Sequence, residues 1–137
     1  MKNSVKELAK IAIEAKKTAY APYSGFYVGA ALLSKSGKVY TGINIESASY
    51  SPTNCAERTA LFKAISEGER EFAAIAIAGG KPDANPEYVY PCGVCRQMLN
   101  EFVDNDLIVY IVKTENDYRT HTFGELFPHG FGPKDLM

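Results

Sequence analysis

Phe72-Ala73-Ala74-Ile75-Ala76-Ile77-Ala78 is a continuous apolar run of strand length, followed at once by Gly79-Gly80-Lys81-Pro82. Seven residues without a polar position read as a strand covered on both faces. On its N-terminal side the pattern predicts a helix from about Asn54 to Ser66, stopped by Gly68. On its C-terminal side a Gly/Pro/Asn loop over residues 79–86 leads to a second helix, from near Cys92 to Val103. A β-branched strand follows at Leu107–Val112. Strands interleaved with helices imply an α/β layered domain around one sheet, its later strands joined by crossovers. Further out, Val28–Ser34 and Lys38–Ile43 flank Ser36-Gly37 and read as a hairpin, so the sheet should be mixed. Residues 44–53 are polar and read as a loop. Val5, Leu8, Ala9, Ala12, Ile13 and Ala15 recur at helical spacing, predicting an amphipathic helix that ends near Tyr20. Tyr118–Thr122 is a further strand candidate and Phe123–Phe127 a helical turn. The Gly/Pro-rich tail reads as irregular.

The 137 residues suit a single domain spanning 1–137. Fifteen basic residues stand against 16 acidic ones, so no electrostatic footprint for nucleic acid or an anionic membrane is present. A small ligand is the expected partner. No apolar run approaches the ~18 residues of a membrane span, and the start lacks a signal-peptide core, so the expected location is cytoplasmic. The cysteines are Cys55, Cys92 and Cys95. An odd, small set argues against a disulfide framework and toward metal or catalysis.

Cys92 and Cys95 form a C-x-x-C pair, which alone suits a zinc knuckle, a redox dithiol or two buried thiols. A structural zinc site normally needs a fourth protein ligand, yet no further cysteine exists, and His121 and His129 have unremarkable sequence surroundings. Three thiolates leave one tetrahedral position for water, as catalytic zinc requires. Both cysteine clusters fall at expected helix N-termini, where the dipole and free N–H groups stabilise thiolate. Glu57 follows Cys55 by two residues and points about 200° away on a helix. It suits a proton carrier for bound water, the alternative being a first-turn Glu that favours the helix start. Arg58 could offset the negative charge of three thiolates by donating to sulfur, the alternative being a surface arginine.

Cys55-Ala56-Glu57 followed by Pro91-Cys92-Gly93-Val94-Cys95 resembles the cytidine deaminase superfamily, and in particular its small homotetrameric, all-cysteine members. The resemblance covers nearly the whole chain. It includes Ala21-Pro22-Tyr23-Ser24-Gly25-Phe26, Val28-Gly29-Ala30-Ala31-Leu32, Gly42-Ile43-Asn44-Ile45-Glu46 and Asn54–Leu61. It implies a three-layer α/β/α sandwich around a mixed sheet of about five strands. One Zn²⁺ per chain would be held by Cys55, Cys92 and Cys95. Glu57 would shuttle protons while zinc hydroxide attacks C4 of free cytidine or 2′-deoxycytidine, releasing ammonia in pyrimidine salvage. Asn44 and Glu46 would bind the ribose hydroxyls, Phe26 would pack on the base, and Ala56 would offer backbone groups to its edge. Phe131, and Tyr50 by a similar reach, would serve a neighbouring subunit's site in a homotetramer. For Phe26 and Phe131 the alternative is ordinary packing, and for Asn44 a turn residue.

Three positions depart from the family pattern: Ser47-Ala48-Ser49 after Glu46, a long segment from Gly79 to Tyr90, and Tyr90 itself before Pro91. Blasticidin S deaminases share the zinc motif, but relatives of that kind lack a carboxylate where this chain has Glu46. Polynucleotide editing fits poorly with near-zero net charge. A non-catalytic zinc module leaves Glu57 without a role, and a redox dithiol leaves Cys55 unexplained.

Overall fold

The computed structural model describes residues 4–137. In chain order the elements are α1 (Val5–Lys16), β1 (Tyr27–Ser34), β2 (Val39–Ile43), α2 (Ala56–Ser66), β3 (Phe72–Gly80), α3 (Gly93–Asn100), β4 (Ile108–Thr114), β5 (Asp117–Thr122) and α4 (Phe123–Leu126). A short 3₁₀ turn, Pro133–Asp135, lies in the tail expected to be irregular. The five strands form one sheet in the order β2-β1-β3-β4-β5. Only β3 and β4 pair in parallel; the other pairs are antiparallel. The mixed five-stranded α/β sandwich is therefore present.

β3 is central, which accounts for its uninterrupted apolar sequence. Its odd and even residues serve opposite layers, as the two-residue strand period requires. Ala74, Ala76 and Ala78 face α1, where they pack with Leu8, Ala9, Ala12, Ala31 and Val112. Ile75 and Ile77 face α2 and α3, where Ala60, Leu61, Ala64 and Leu99 meet Leu32, Val109 and Ile111.

Two glycines bring the helices into contact with the hairpin. A Cβ on Gly29 of β1 would lie 2.2 Å from the Ala12 carbonyl of α1. A Cβ on Gly42 of β2 would lie 2.2 Å from the Ala56 carbonyl of α2. Backbone touches backbone at both places, so neither neighbour can swing aside. The second contact fixes the first turn of α2 against the end of β2.

Helix α2 leads into β3 and α3 into β4. Because those strands are parallel neighbours, the two helices lie side by side and start at the same edge of the sheet. That edge is the carboxyl end of β3 and β4, where open α/β sheets commonly bind ligands.

Some boundaries differ from the sequence expectation. Helix α1 stops at Lys16 because residues 17–19 turn back, and Tyr20 N–H bonds to the Asn44 carbonyl. Helix α3 stops at Asn100, and 101–103 form a turn closing on Met98 and Leu99. Gly79 and Gly80 belong to β3 and pair with Val28 and Tyr27, where a loop was expected. Pairing with β1 overrides the local Gly-Gly signal there.

Gly42→Ala is expected to destabilise the fold by about 1–3 kcal/mol through overpacking at the start of α2. Urea denaturation monitored by circular dichroism, against the wild-type protein, measures this.

Candidate metal centre and active site

Cys55 is the N-cap residue of α2 and Cys92 the N-cap residue of α3; Cys95 sits in the first turn of α3. Both N-caps are extended, with ψ of 157° and 168°, and neither has a side-chain capping hydrogen bond. Their thiols are thus available beside two sets of orphan helix N–H groups, an arrangement that favours thiolate.

The three Sγ atoms all lie within 4.8 Å of one another, and Cys55 Sγ is 3.6 Å from Cys92 Sγ. A disulfide would need about 2.05 Å. Three sulfurs on one tetrahedral zinc, each at about 2.3 Å, would stand about 3.8 Å apart. The donor set therefore fits zinc in kind, number and spacing. Among the described residues this is the one group of His, Cys, Asp or Glu close enough together to hold an ion.

Electrostatics within the cluster favour a charged Cys55. The Cys95 thiol donates to it, and the Arg58 guanidinium and Cys92 add to this against the opposing effect of burial, lowering it to about 5. The same bond, reinforced by burial, raises Cys95. Arg58 Nη2 donates to Cys55 Sγ at 3.4 Å, so the guanidinium addresses sulfur as its position suggested. Its Nε is buried without a hydrogen-bond partner among the described residues. Glu57 lies in the first turn of α2 and is 4% exposed, so it is a buried carboxyl and not an exposed helix-start residue. Burial pushes its carboxyl up to about 7, with the Cys55 charge adding to the effect and its backbone and Cys95 hydrogen bonds opposing it.

Asn44 and Glu46 both face the Tyr23–Val28 segment, from the end of β2. The Asn44 amide donates to the Phe26 carbonyl (2.8 Å), and its oxygen accepts from Val28 N–H (2.9 Å). Glu46 Oε1 accepts from Tyr23 N–H (3.0 Å) and Ser24 N–H (3.1 Å), and Oε2 accepts from the Ser24 hydroxyl. Each side chain therefore holds the loop that carries Phe26 while keeping spare hydrogen-bonding capacity. The Ser24 hydroxyl, which holds Glu46, also accepts from Phe26 N–H at 3.0 Å.

Glu46 and Tyr50 line one hollow of about 360 Å³, together with Tyr23, Ser24, Ser47 and Thr53. Tyr50 is 72% exposed and takes φ 63°, a left-handed conformation that bulky residues seldom adopt. Its ring meets Tyr23 edge-on at 6.3 Å. Ala56 is fully buried as the first residue of α2. Phe131 lies against the last turn of α3. Its carbonyl accepts from Gln97 (2.8 Å) and Asn100 (2.9 Å), while the residue is 58% exposed.

Sequence reasoning assigned no role to Arg96. Its Nε donates to the Pro91 carbonyl at 2.7 Å and its Nη1 to the Leu126 carbonyl at 2.6 Å, clamping the residue before Cys92 to the end of α4. The available signal was its place directly after the C-x-x-C pair.

The family model for the cytidine and deoxycytidylate deaminase zinc-binding region matches residues 2–111. A cytidine deaminase from Halalkalibacterium halodurans is 50% identical over 129 residues, covering 94% of this chain and 95% of the relative. One from Sporosarcina psychrophila is 44% identical over 133 residues, covering 95% of both. The crystal structure of cytidine deaminase from Burkholderia pseudomallei superposes with a TM-score of 0.82 at 46% identity, covering 90% of this chain and 96% of that one. Agreement in sequence and fold over almost the full length leaves one conclusion: the chain belongs to the cytidine and deoxycytidylate deaminase family.

Proposed function

We propose that residues 1–137 act as one hydrolytic deaminase domain converting free cytidine and 2′-deoxycytidine to uridine and 2′-deoxyuridine. The observation that carries the reading is three thiols converging from two helix N-termini beside a buried carboxyl, Glu57. Cys55, Cys92 and Cys95 would hold one Zn²⁺, which supplies an acidified water as nucleophile near neutral pH.

The remaining work falls to side chains. A C–O bond forms at C4 of the pyrimidine, the C4–N bond breaks, and one water is consumed as ammonia leaves. The Glu57 carboxylate takes one proton from the water and delivers it to N3 of the base. It then takes the second from the new C4 hydroxyl and delivers it to the departing amino group, which leaves as ammonia. Arg58 steadies the negative charge on Cys55 sulfur. Ala56, at the open end of α2, presents backbone to the base edge, its N–H having no partner within the helix. Phe26, on the loop that Asn44 and Glu46 hold, packs against the base.

Asn44 and Glu46 grip the sugar hydroxyls with the capacity left by their loop contacts, and Glu46 already lines the hollow beside Tyr50. Tyr50 and Phe131, both exposed here, complete a neighbouring subunit's site in a homotetramer. Exposed Phe62 and Val94 on the outer side of α2 and α3 support such association. Near-zero net charge favours a free nucleoside over a polynucleotide. Among the described residues no helix is long and apolar enough to cross a membrane. A cytoplasmic place in pyrimidine salvage suits this chemistry.

Ultraviolet absorbance of cytidine with zinc-quantified protein tests the reading. Wild type is expected to convert both nucleosides with about one zinc per chain. Glu57→Gln is expected to keep its zinc and lose about 10²–10⁴ in kcat. Zinc-loaded wild-type protein that leaves both nucleosides untouched would contradict the assignment. Glu46→Gln removes a charge-assisted contact and is expected to raise KM for cytidine by about tenfold or more. Steady-state kinetics read this directly, and a change confined to kcat would count against a sugar-binding role.

A further inference from the structure

Cys95 is placed by its helix, whereas Cys55 and Cys92, as N-caps, are placed by helix on one side only. Before Cys55 the chain is tied down by the paired bonds of Asn54 with Ile45 (2.9 Å each), and Cys92 needs a tether of its own. Its carbonyl accepts from Arg96 N–H at 2.9 Å, whereas its N-terminal side is extended chain. That chain, residues 87–91, starts on β3, where Glu87 N–H bonds to the Gly79 carbonyl at 3.3 Å. It ends at Pro91, which is fully buried. Arg96 clamps the Pro91 carbonyl from the helix side, so what fixes residues 88–90 sets the remaining, upstream part of the approach to Cys92.

The fixing groups are on β5. Asp117, Arg119 and His121 share one face of that edge strand by the two-residue period, and Tyr88 and Tyr90 alternate in the same way. The Tyr88 hydroxyl donates to Asp117, and the Arg119 guanidinium lies 3.8 Å from the Tyr88 ring centroid. The Tyr90 hydroxyl shares a hydrogen bond with His121 Nε2 at 3.0 Å and accepts from Arg119 Nη1 at 3.4 Å. The Tyr90 and His121 rings also meet edge-on at 5.4 Å. Both tyrosines pack on the core under α2 and α3.

We propose that His121 is a positioning residue for the metal site: through Tyr90 it holds the strap that sets the Cys92 sulfur opposite Cys55 and Cys95. Arg119, two residues before His121 on β5, supports the same tyrosine. The inference rests on the zinc reading above and concerns how the site is held, not what it converts. His121 itself touches neither substrate nor sulfur.

The test measures zinc affinity by chelator competition and the thiolate-to-metal absorption of the cobalt(II) form. Wild type, His121→Ala, His121→Gln and Tyr90→Phe are compared, with melting curves of the metal-free proteins alongside. His121→Ala and Tyr90→Phe are expected to weaken zinc binding about tenfold, as loss of outer partners of a metal ligand does, and to shift the cobalt band. His121→Gln, whose amide can reach the Tyr90 hydroxyl, is expected to restore both. Unchanged affinity and spectrum, with only a lower metal-free melting point, would overturn the proposal and leave β5 packing alone. Should His121→Ala fail to fold, Tyr90→Phe decides, since it removes a single oxygen. Wild-type protein that binds no zinc would instead overturn the zinc reading itself.

Discussion

Two helix N-termini meeting at one edge of a sheet form the constraint on which the rest of this molecule depends. Parallel pairing of β3 with β4 makes α2 and α3 neighbours with a common direction. Their first turns then bring Cys55, Cys92 and Cys95 within 4.8 Å of each other, although 37 residues separate the first two. Such a gathering of sulfur and carboxylate is costly in isolation, because like charges at close range oppose each other's ionisation. Helix N–H groups and Arg58 offset part of that cost, and a bound cation would offset the remainder.

Placing the helices this closely requires small residues in the sheet. Alanines on one face of β3, and glycines at 29 and 42, let backbone lie on backbone. The end of β2 is thereby fixed relative to the first turn of α2. From that end, Asn44 and Glu46 hold the Tyr23–Val28 loop by five hydrogen bonds to its backbone and the Ser24 hydroxyl. Rigid packing of the hairpin against α2 thus determines where the aromatic loop stands relative to the thiols. The site is preorganised by the same contacts that build the core, which is the condition for precise placement of reacting groups.

Much of this was legible in the sequence because the signals are local. Apolar β3, the periodicity of α1 and the β-branched β4 each declare their element within a few residues. The thiols and Glu57 were legible because helix starts, cysteine count and an open tetrahedral position constrain one another. Where tertiary contacts decide, local reading falls short. Gly79-Gly80 carries a loop signal but pairs with β1, and residues 17–20 continue a helical pattern yet turn to meet Asn44. His121 looked unremarkable because its partner, Tyr90, is 31 residues away. For Phe131 no local pattern speaks: within the chain its carbonyl meets Gln97 and Asn100, and a part in a neighbouring subunit's site is an expectation carried by resemblance alone.

The account stands or falls on the metal's surroundings, and X-ray absorption at the zinc edge of the loaded protein reports them directly. The expected result is three sulfurs at about 2.3 Å and one oxygen at about 2.0 Å, the open position that hydrolysis needs. Four protein ligands, or an imidazole nitrogen among them, would describe a closed structural site and contradict the account.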